Sequence, residues 1–444
     1  MTLLGLYRIL EVKGSLSFAT ITDKGPDLTQ FLMDWDNYIN LSFIPLLFKQ
    51  VGKIPKLDQP RIYPILKSGP NVLTEDDKTR VLIGNEMKLI APKFYSEIKD
   101  VNTSMNTLII SSRLFLRTPL KEAFKVLSNE LGAPGMINRL EISAMASNPI
   151  LDNPNLSKCV PYPKGEGFLG KLSFKIEAAG KIRVFAMVDA TQWLLSPIHD
   201  FIFSLLRKLN QDGTFNQMSP IEQLQSKFGA NPSKKVFASI DLSAATDRLP
   251  ISLQQTIIKY LLKEKVNDSV KVAENRHLLV ARAYKVGYTK EILDHCLPLS
   301  KEEKPDYVHY GVGQPMGALS SAMLALTHHS LIQYAYFKAY GRNEFQNYAV
   351  LGDDGVIVGK KVIKEYLSLL QLIGVKTGLA KSIIAKNKFV IEFAKKFFVD
   401  TTTANMLPLK ECIATSSSTS LVAEFVRKYD LSLNAILSFL GYGY

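Results

Sequence analysis

The segment from Tyr348 to Val358 constrains this chain more than any other. Tyr348-Ala-Val-Leu351 and Val356-Ile-Val358 are apolar runs of strand length, with Gly352-Asp-Asp-Gly355 between them. Such runs around a Gly/Asp turn predict two antiparallel strands joined by a tight hairpin. The tip then carries two adjacent carboxylates, Asp353 and Asp354. Like charges this close disfavour joint ionisation. A divalent cation removes that cost, because Mg²⁺ prefers carboxylate oxygen and keeps water or phosphate as its other ligands. An ordinary Asp-Gly turn is the plainer reading of the same string.

Asp241 sharpens the choice. Val236-Phe-Ala-Ser-Ile240 is a second short apolar strand that ends on this acid. Laid beside the hairpin in one sheet, Asp241 completes a three-carboxylate cluster. Two metals about 4 Å apart on such a cluster can clamp an attacking hydroxyl and a phosphate leaving group. Phosphoryl transfer depends on this kind of positioning and charge neutralisation. Taken alone, Asp241 reads equally as a helix cap or a surface acid.

The surrounding pattern places these strands. Pro250 suits a helix start, and Leu253, Ile257, Ile258, Leu261 and Leu262 come after it at helical spacing. Ser320–Tyr340 lacks Gly and Pro and reads as a long buried helix. Lys361–Ile373 is an amphipathic helix stopped by Gly374. Lys171–Met187 alternates as two strands around a turn at Ala179-Gly-Lys181. The first 150 residues read as mixed helix and loop, and Pro149–Gly170 as a long surface loop. The expected class is α+β, with an antiparallel sheet backed by helices.

Composition narrows the partners. With 54 Lys and Arg against 41 Asp and Glu, the net charge is +13, which suits a polyanion such as nucleic acid or an anionic membrane surface. Three isolated cysteines form no disulfide framework and no CxxC pair, and the six histidines form no zinc pattern. No secretory signal is expected at Met1–Leu10. The best candidate membrane span, Ala322–Tyr340, is interrupted by Thr327, His328, His329, Ser330, Gln333 and Lys338.

At this point the motifs resemble those of RNA-dependent RNA polymerases. Asp241-Leu-Ser-Ala-Ala-Thr-Asp247 is similar to motif A, Gly313-Gln-Pro-Met-Gly-Ala-Leu-Ser-Ser321 to motif B, and Gly352-Asp-Asp354 to motif C. The wording is closest to the mitoviruses, capsidless RNA replicons of mitochondria. Ser239–Pro250, Gly313–Gly317, Ala325-Leu-Thr-His-His329, Lys67-Ser-Gly-Pro-Asn71 and Ile436–Tyr444 all carry that likeness.

The resemblance implies a right-hand polymerase fold. Residues 1–235 would form an N-terminal extension and fingers, 236–400 the palm with an inserted fingers segment, and 401–444 the start of a truncated thumb. It implies RNA-templated RNA synthesis, with Asp241, Asp353 and Asp354 holding two Mg²⁺ or Mn²⁺ ions. Asp247 would sense the ribose 2′-hydroxyl. Gly317, Ser320 and Ser321 would hold template and incoming ribose. Lys175, Lys181 and Arg183 match motif F, where cations meet the triphosphate; without the family they read as a solvated basic strand. Lys381 matches motif D and would protonate the leaving pyrophosphate. Phe389–Phe398 matches motif E, where Lys395 and Lys396 would touch the primer strand or else form a surface pair. The implied partners are RNA template, product strand and NTPs, with no membrane span and no capsid protein, in a host mitochondrion. A catalytically inactive, endogenised remnant that retains RNA binding is the alternative.

Three departures from the family pattern stand out. A Trp is missing between Ala190 and Thr191 and another between Ser321 and Ala322, as if UGA codons had been dropped in translation. A one-residue loss inside a helix rotates every later residue by about 100°, which would turn Thr327 and His328 away unless it falls before the helix. Gly355 replaces an apolar strand residue and is expected to loosen the hairpin.

Overall fold

The computed structural model describes residues 12–62, 108–109, 111–113, 115–146, 170–177, 180–188, 191–275, 284–300, 303–316, 321–378, 382–404, 409–415, 418–429, 431–432 and 434. Lys67–Asn71, most of Pro149–Gly170 and Ile436–Tyr444 lie outside them.

The chain is α+β, as the motif order predicts. Its described strands are β1 (Gly170–Ile176), β2 (Ile182–Val188), β3 (Val236–Asp241), β4 (Tyr284–Val286), β5 (Tyr307–Val308), β6 (Tyr348–Leu351), β7 (Asp354–Val358), β8 (Ile383–Lys386), β9 (Val390–Phe393), β10 (Lys396–Val399) and β11 (Thr402–Ala404). They form three sheets: β2-β1-β4-β5, β6-β7-β3-β8 and β11-β10-β9.

The second sheet is wholly antiparallel and carries the predicted hairpin. Its two faces are both covered. Ala238, Ile240, Val350 and Ile357 point into the large helical core, while Phe237, Ala349, Val356 and Val358 pack against Phe389, Ile391, Phe393 and Phe398 beneath. The period of two therefore alternates between two cores rather than between core and water. That is why these strands read as unbroken apolar runs. Each fully buried aliphatic side chain contributes about 1.5–3 kcal/mol on area grounds.

The helical layer is built from Thr191–Leu206, Ile251–Leu261, Glu264–Asn275, Ser321–Tyr340 and Lys360–Leu372. Ser321–Tyr340 lies inside the core and is buried on all sides from Ala322 to Ala335, its polar side chains included. Lys360–Leu372 is amphipathic and ends where Gly374 turns the backbone to positive φ, as expected. Near the N-terminus, Thr29–Tyr38 runs through a π-turn (Ile39–Phe43) into Ile44–Val51. Phe31, Trp35, Tyr38, Ile39, Phe43 and Leu47 recur at helical spacing and are buried. Tyr334 meets Phe31, Trp35 and Tyr38 with ring centroids 6.1, 5.5 and 4.6 Å away.

β1 and β2 form the expected hairpin, in register from Gly170↔Val188 to Ile176↔Ile182, with Gly180 at positive φ in the turn. β4 joins β1 in parallel, a pairing that the local pattern does not reveal.

Candidate active site

The hairpin is as tight as its sequence suggests. Leu351 pairs with Asp354, so only Gly352 and Asp353 form the loop. Gly352 has φ +59° while Asp353 stays at negative φ, the arrangement of a type II′ turn, whose twist matches the strands.

β3 lies directly beside β7, and the register sets Asp241 opposite Asp354. Three acids from two distant stretches of the chain thus share one end of the sheet. The segment leading into β8 holds Asp241 in place. The Asp241 backbone N–H donates to Ser382 Oγ at 3.3 Å, and its carbonyl accepts from Gly378 N–H at 2.8 Å. A Cβ on Gly378 would come within 2.8 Å of Asp241 Oδ2, so this glycine lets the carboxylate lie against the backbone.

The electrostatics report the same convergence. Burial, then Asp353, Asp241 and Glu392 push Asp354 up to about 6, against a donation from the Ala394 backbone N–H. Asp353 is also raised, by desolvation first and then by Asp241, and is pulled back by its own backbone N–H, Arg183 and Lys181. Glu392 is a fourth acid that the motifs did not single out. It comes from β9, whose backbone is tied to β3 by Glu392 N–H donating to Ser239 Oγ at 2.9 Å.

The donors here are carboxylate oxygens, the hard type that Mg²⁺ or Mn²⁺ prefers. Among the described residues, no group of three or more His, Cys, Asp or Glu side chains is drawn together as a ready-made metal cage. Mg²⁺ does not need one, since it is commonly held by one or two carboxylates plus water and substrate phosphate. Repelling acids at an open sheet end fit such a cation.

His328 supports the turn from behind. Its Nδ1 lies 2.9 Å from Gly352 O and its Nε2 2.6 Å from Tyr366 OH. Burial pushes its pKa down to about 4, so the ring is neutral near pH 7 and donates one proton between these partners. This position answers two expectations. The helix Ser321–Tyr340 presents Thr327 and His328 inward, both buried, so the missing Trp leaves them aimed at the core. Gly355 keeps its place in the strand, opposite Ile240 and Val350. It is buried, and a Cβ there would stand 3.0 Å from His328 Cε1 and Nε2; the glycine makes room for the ring.

Next along, His329 links Tyr348 OH and Asp212 Oδ2, each at 3.0 Å. Gln333 donates to Phe345 O and to Tyr348 OH. Asp212 Oδ1 also accepts from Thr214 N–H at 2.9 Å. This network is buried beneath β6.

The remaining predicted residues fall in four groups. Lys175 and Arg183 are cross-strand partners on β1 and β2. Arg183 and Lys181 feel Asp353, whereas Lys175 is exposed. Arg183 Nε lies 2.8 Å from Glu177 Oε2 but is poorly aligned for a hydrogen bond. Asp247 lies just after β3 on the one-turn helix Ala245–Arg248, where burial lifts it to about 6 against the Thr20 hydrogen bond and Arg248. Lys395 is exposed at positive φ in the β9–β10 turn, and Lys396 Nζ lies 3.7 Å from Met218 Sδ. Gly317, Ser320 and Lys381 lie outside the described residues, and Ser321 opens its helix.

No helix among the described residues is long and apolar enough to cross a membrane.

The chain is 36% identical over 230 residues to the RNA-directed RNA polymerase of Cryphonectria parasitica mitovirus 1 (strain American chestnut tree/New Jersey/NB631), covering 51% of this chain and 25% of that protein. The chain thus spans about a quarter of that polymerase's length. Two uncharacterized mitochondrial proteins of Arabidopsis thaliana match at 34% over 246 residues and 33% over 179. The first match covers 54% of this chain and 89% of the relative, the second 40% and 78%. Residues 102–437, which include the hairpin, β3 and the helices behind them, match the mitovirus RNA-dependent RNA polymerase family, and this chain belongs to it.

Proposed function

We propose that this chain copies RNA from an RNA template by two-metal nucleotidyl transfer. The observation that carries the reading is the register that sets Asp241 across from Asp354, one residue from Asp353.

In this reading the β6-β7-β3-β8 sheet is the palm of a right hand, within 236–400. Residues 1–235 supply the fingers, and 401–444 begin the thumb. Asp241, Asp353 and Asp354 hold the cations, which lower the pKa of the primer hydroxyl and neutralise the leaving oxygens when bound. The primer 3′-hydroxyl gives up its proton to solvent, its oxygen bonds to the α-phosphorus of an NTP, the bond from that phosphorus to the bridging oxygen breaks, and pyrophosphate leaves. Lys175, Lys181 and Arg183 meet the triphosphate from the β1–β2 hairpin, because guanidinium and ammonium groups pair well with phosphate oxygens. Lys381 returns a proton to the pyrophosphate. Asp247 accepts the ribose 2′-hydroxyl. Gly317, Ser320 and Ser321 hold template and ribose, and Lys395 and Lys396 steady the primer backbone. The site of action is the host mitochondrion, consistent with the mitochondrial proteins among the relatives.

Those plant relatives also favour a second reading, an inactive remnant that still binds RNA. One assay separates the two. The purified chain is expected to extend an RNA primer on an RNA template with NTPs and Mg²⁺ or Mn²⁺. Asp353→Ala abolishes extension but retains RNA in a filter-binding assay. Extension by Asp353→Ala rules out the metal assignment. RNA binding without extension by the unaltered chain favours the remnant.

A further inference from the structure

The N-terminal segment reaches Asp247, which no motif anticipates. Val12 and Lys13 lie against the Gly180 turn between β1 and β2, and Gly14 exchanges backbone hydrogen bonds with His295 and Leu297. The chain then forms the short helix Ala19–Thr22 and packs beside Ala245–Arg248. Two staples fix it there. Arg248 Nη1 donates to Asp23 O at 2.7 Å and Nη2 to Lys24 O at 3.3 Å, while Gly311 N–H donates to Ile21 O at 2.8 Å. Just before them, Thr20 Oγ1 donates to Asp247 Oδ2 at 3.0 Å across 227 positions of sequence.

The rest of Asp247 is held by its backbone. Gly313 N–H donates to Asp247 O at 3.1 Å and Gln314 N–H to Thr246 O at 2.8 Å. These bonds fix the main chain but not the carboxylate, which turns about its own side-chain bonds. The Thr20 hydroxyl supplies the missing restraint. With Oδ2 tethered, the other oxygen has one preferred direction.

We propose that Thr20 is a positioning residue for ribose selection: its hydroxyl orients the Asp247 carboxylate toward the 2′-hydroxyl of the incoming nucleotide. This rests on the reading of Asp247 given above. Thr20 is exposed, so its replacement spares the core. The strap that carries it also touches the β1–β2 turn, so one segment borders both the triphosphate cations and the sugar-sensing acid.

The test is a double-mutant cycle on the full chain, read as the ratio of kcat/KM for ATP to that for dATP in primer extension with Mg²⁺. Asp247→Asn collapses the ratio. Thr20→Val lowers it by roughly tenfold, the size of one hydrogen bond to a charged group. Thr20→Ser, which keeps the hydroxyl, restores it. Thr20→Val adds nothing in the Asp247→Asn background. A wild-type ratio in Thr20→Val, alongside a collapsed one in Asp247→Asn, overturns the role of Thr20 and leaves that of Asp247 standing. So does a Thr20→Ser ratio as low as that of Thr20→Val. An unchanged ratio in Asp247→Asn overturns the ribose reading itself.

Discussion

Two polar clusters flank the same sheet and are built on opposite principles. At the open end, Asp241, Asp353 and Asp354 repel one another, with Lys181 and Arg183 as partial relief. Behind β6, Asp212, His329, Tyr348 and Gln333 join in a buried hydrogen-bonded chain. The first cluster leaves charge for a ligand to neutralise; the second uses its polar atoms to hold position. Removing a member should therefore change stability in opposite directions in the two places.

The largest stability effect belongs to the buried network. Asp212→Ala leaves His329 Nε2 and Thr214 N–H without their acceptor and should cost about 3 kcal/mol, read as a lower denaturation midpoint. A midpoint like that of the unaltered chain would break the contrast.

Gly355→Ala tests the link between helix and turn. The added methyl presses on His328, and overpacking of a fitted site costs about 1–3 kcal/mol. The ring then shifts from Gly352 O, and primer extension should fall by roughly tenfold, since small displacements near the reacting atoms are costly. Ala tolerated in both assays would show that the ring does not set the turn.

The smallest effect has the opposite sign. The Asp354 carboxyl is raised from 3.8 to about 6 in the folded chain. A raised carboxyl contributes stability that is fully present below its unfolded value and lost as pH rises through the folded one. Without divalent metal, the chain should lose stability between about pH 4 and 6 from this group. Asp354→Asn should remove that loss and, at pH 8, stabilise by on the order of 1 kcal/mol after solvent screening, a rise of about 2 °C in melting temperature. It should also end RNA synthesis. A melting temperature that falls at pH 8 would place Asp354 with the structural cluster instead.

Local pattern revealed the carriers of this site but not their supports. Apolar runs ending in acid marked β3 and the hairpin, because a sheet buried on both faces leaves only its end for charge. The helices after Pro250 and Lys360 were legible from period and stop signals. Glu392, Thr20 and the His328–Gly355 fit were not, because each depends on contact between distant segments. Gly355 shows the cost of reading one strand alone: glycine weakens an isolated strand, yet here it admits an imidazole. The roles assigned to Gly317, Ser320 and Lys381 rest on motif likeness, whereas that of Asp241 also has its register.

The double-sided burial of β3 and β7 has a mechanical consequence. Asp241 and Asp354 occupy the last rungs of strands gripped above and below, and only two residues, Gly352 and Asp353, lie beyond them. On the proposed reading the acids would stand as a fixed anvil, and any movement during a turnover would fall to segments around it such as the β1–β2 hairpin and the N-terminal strap.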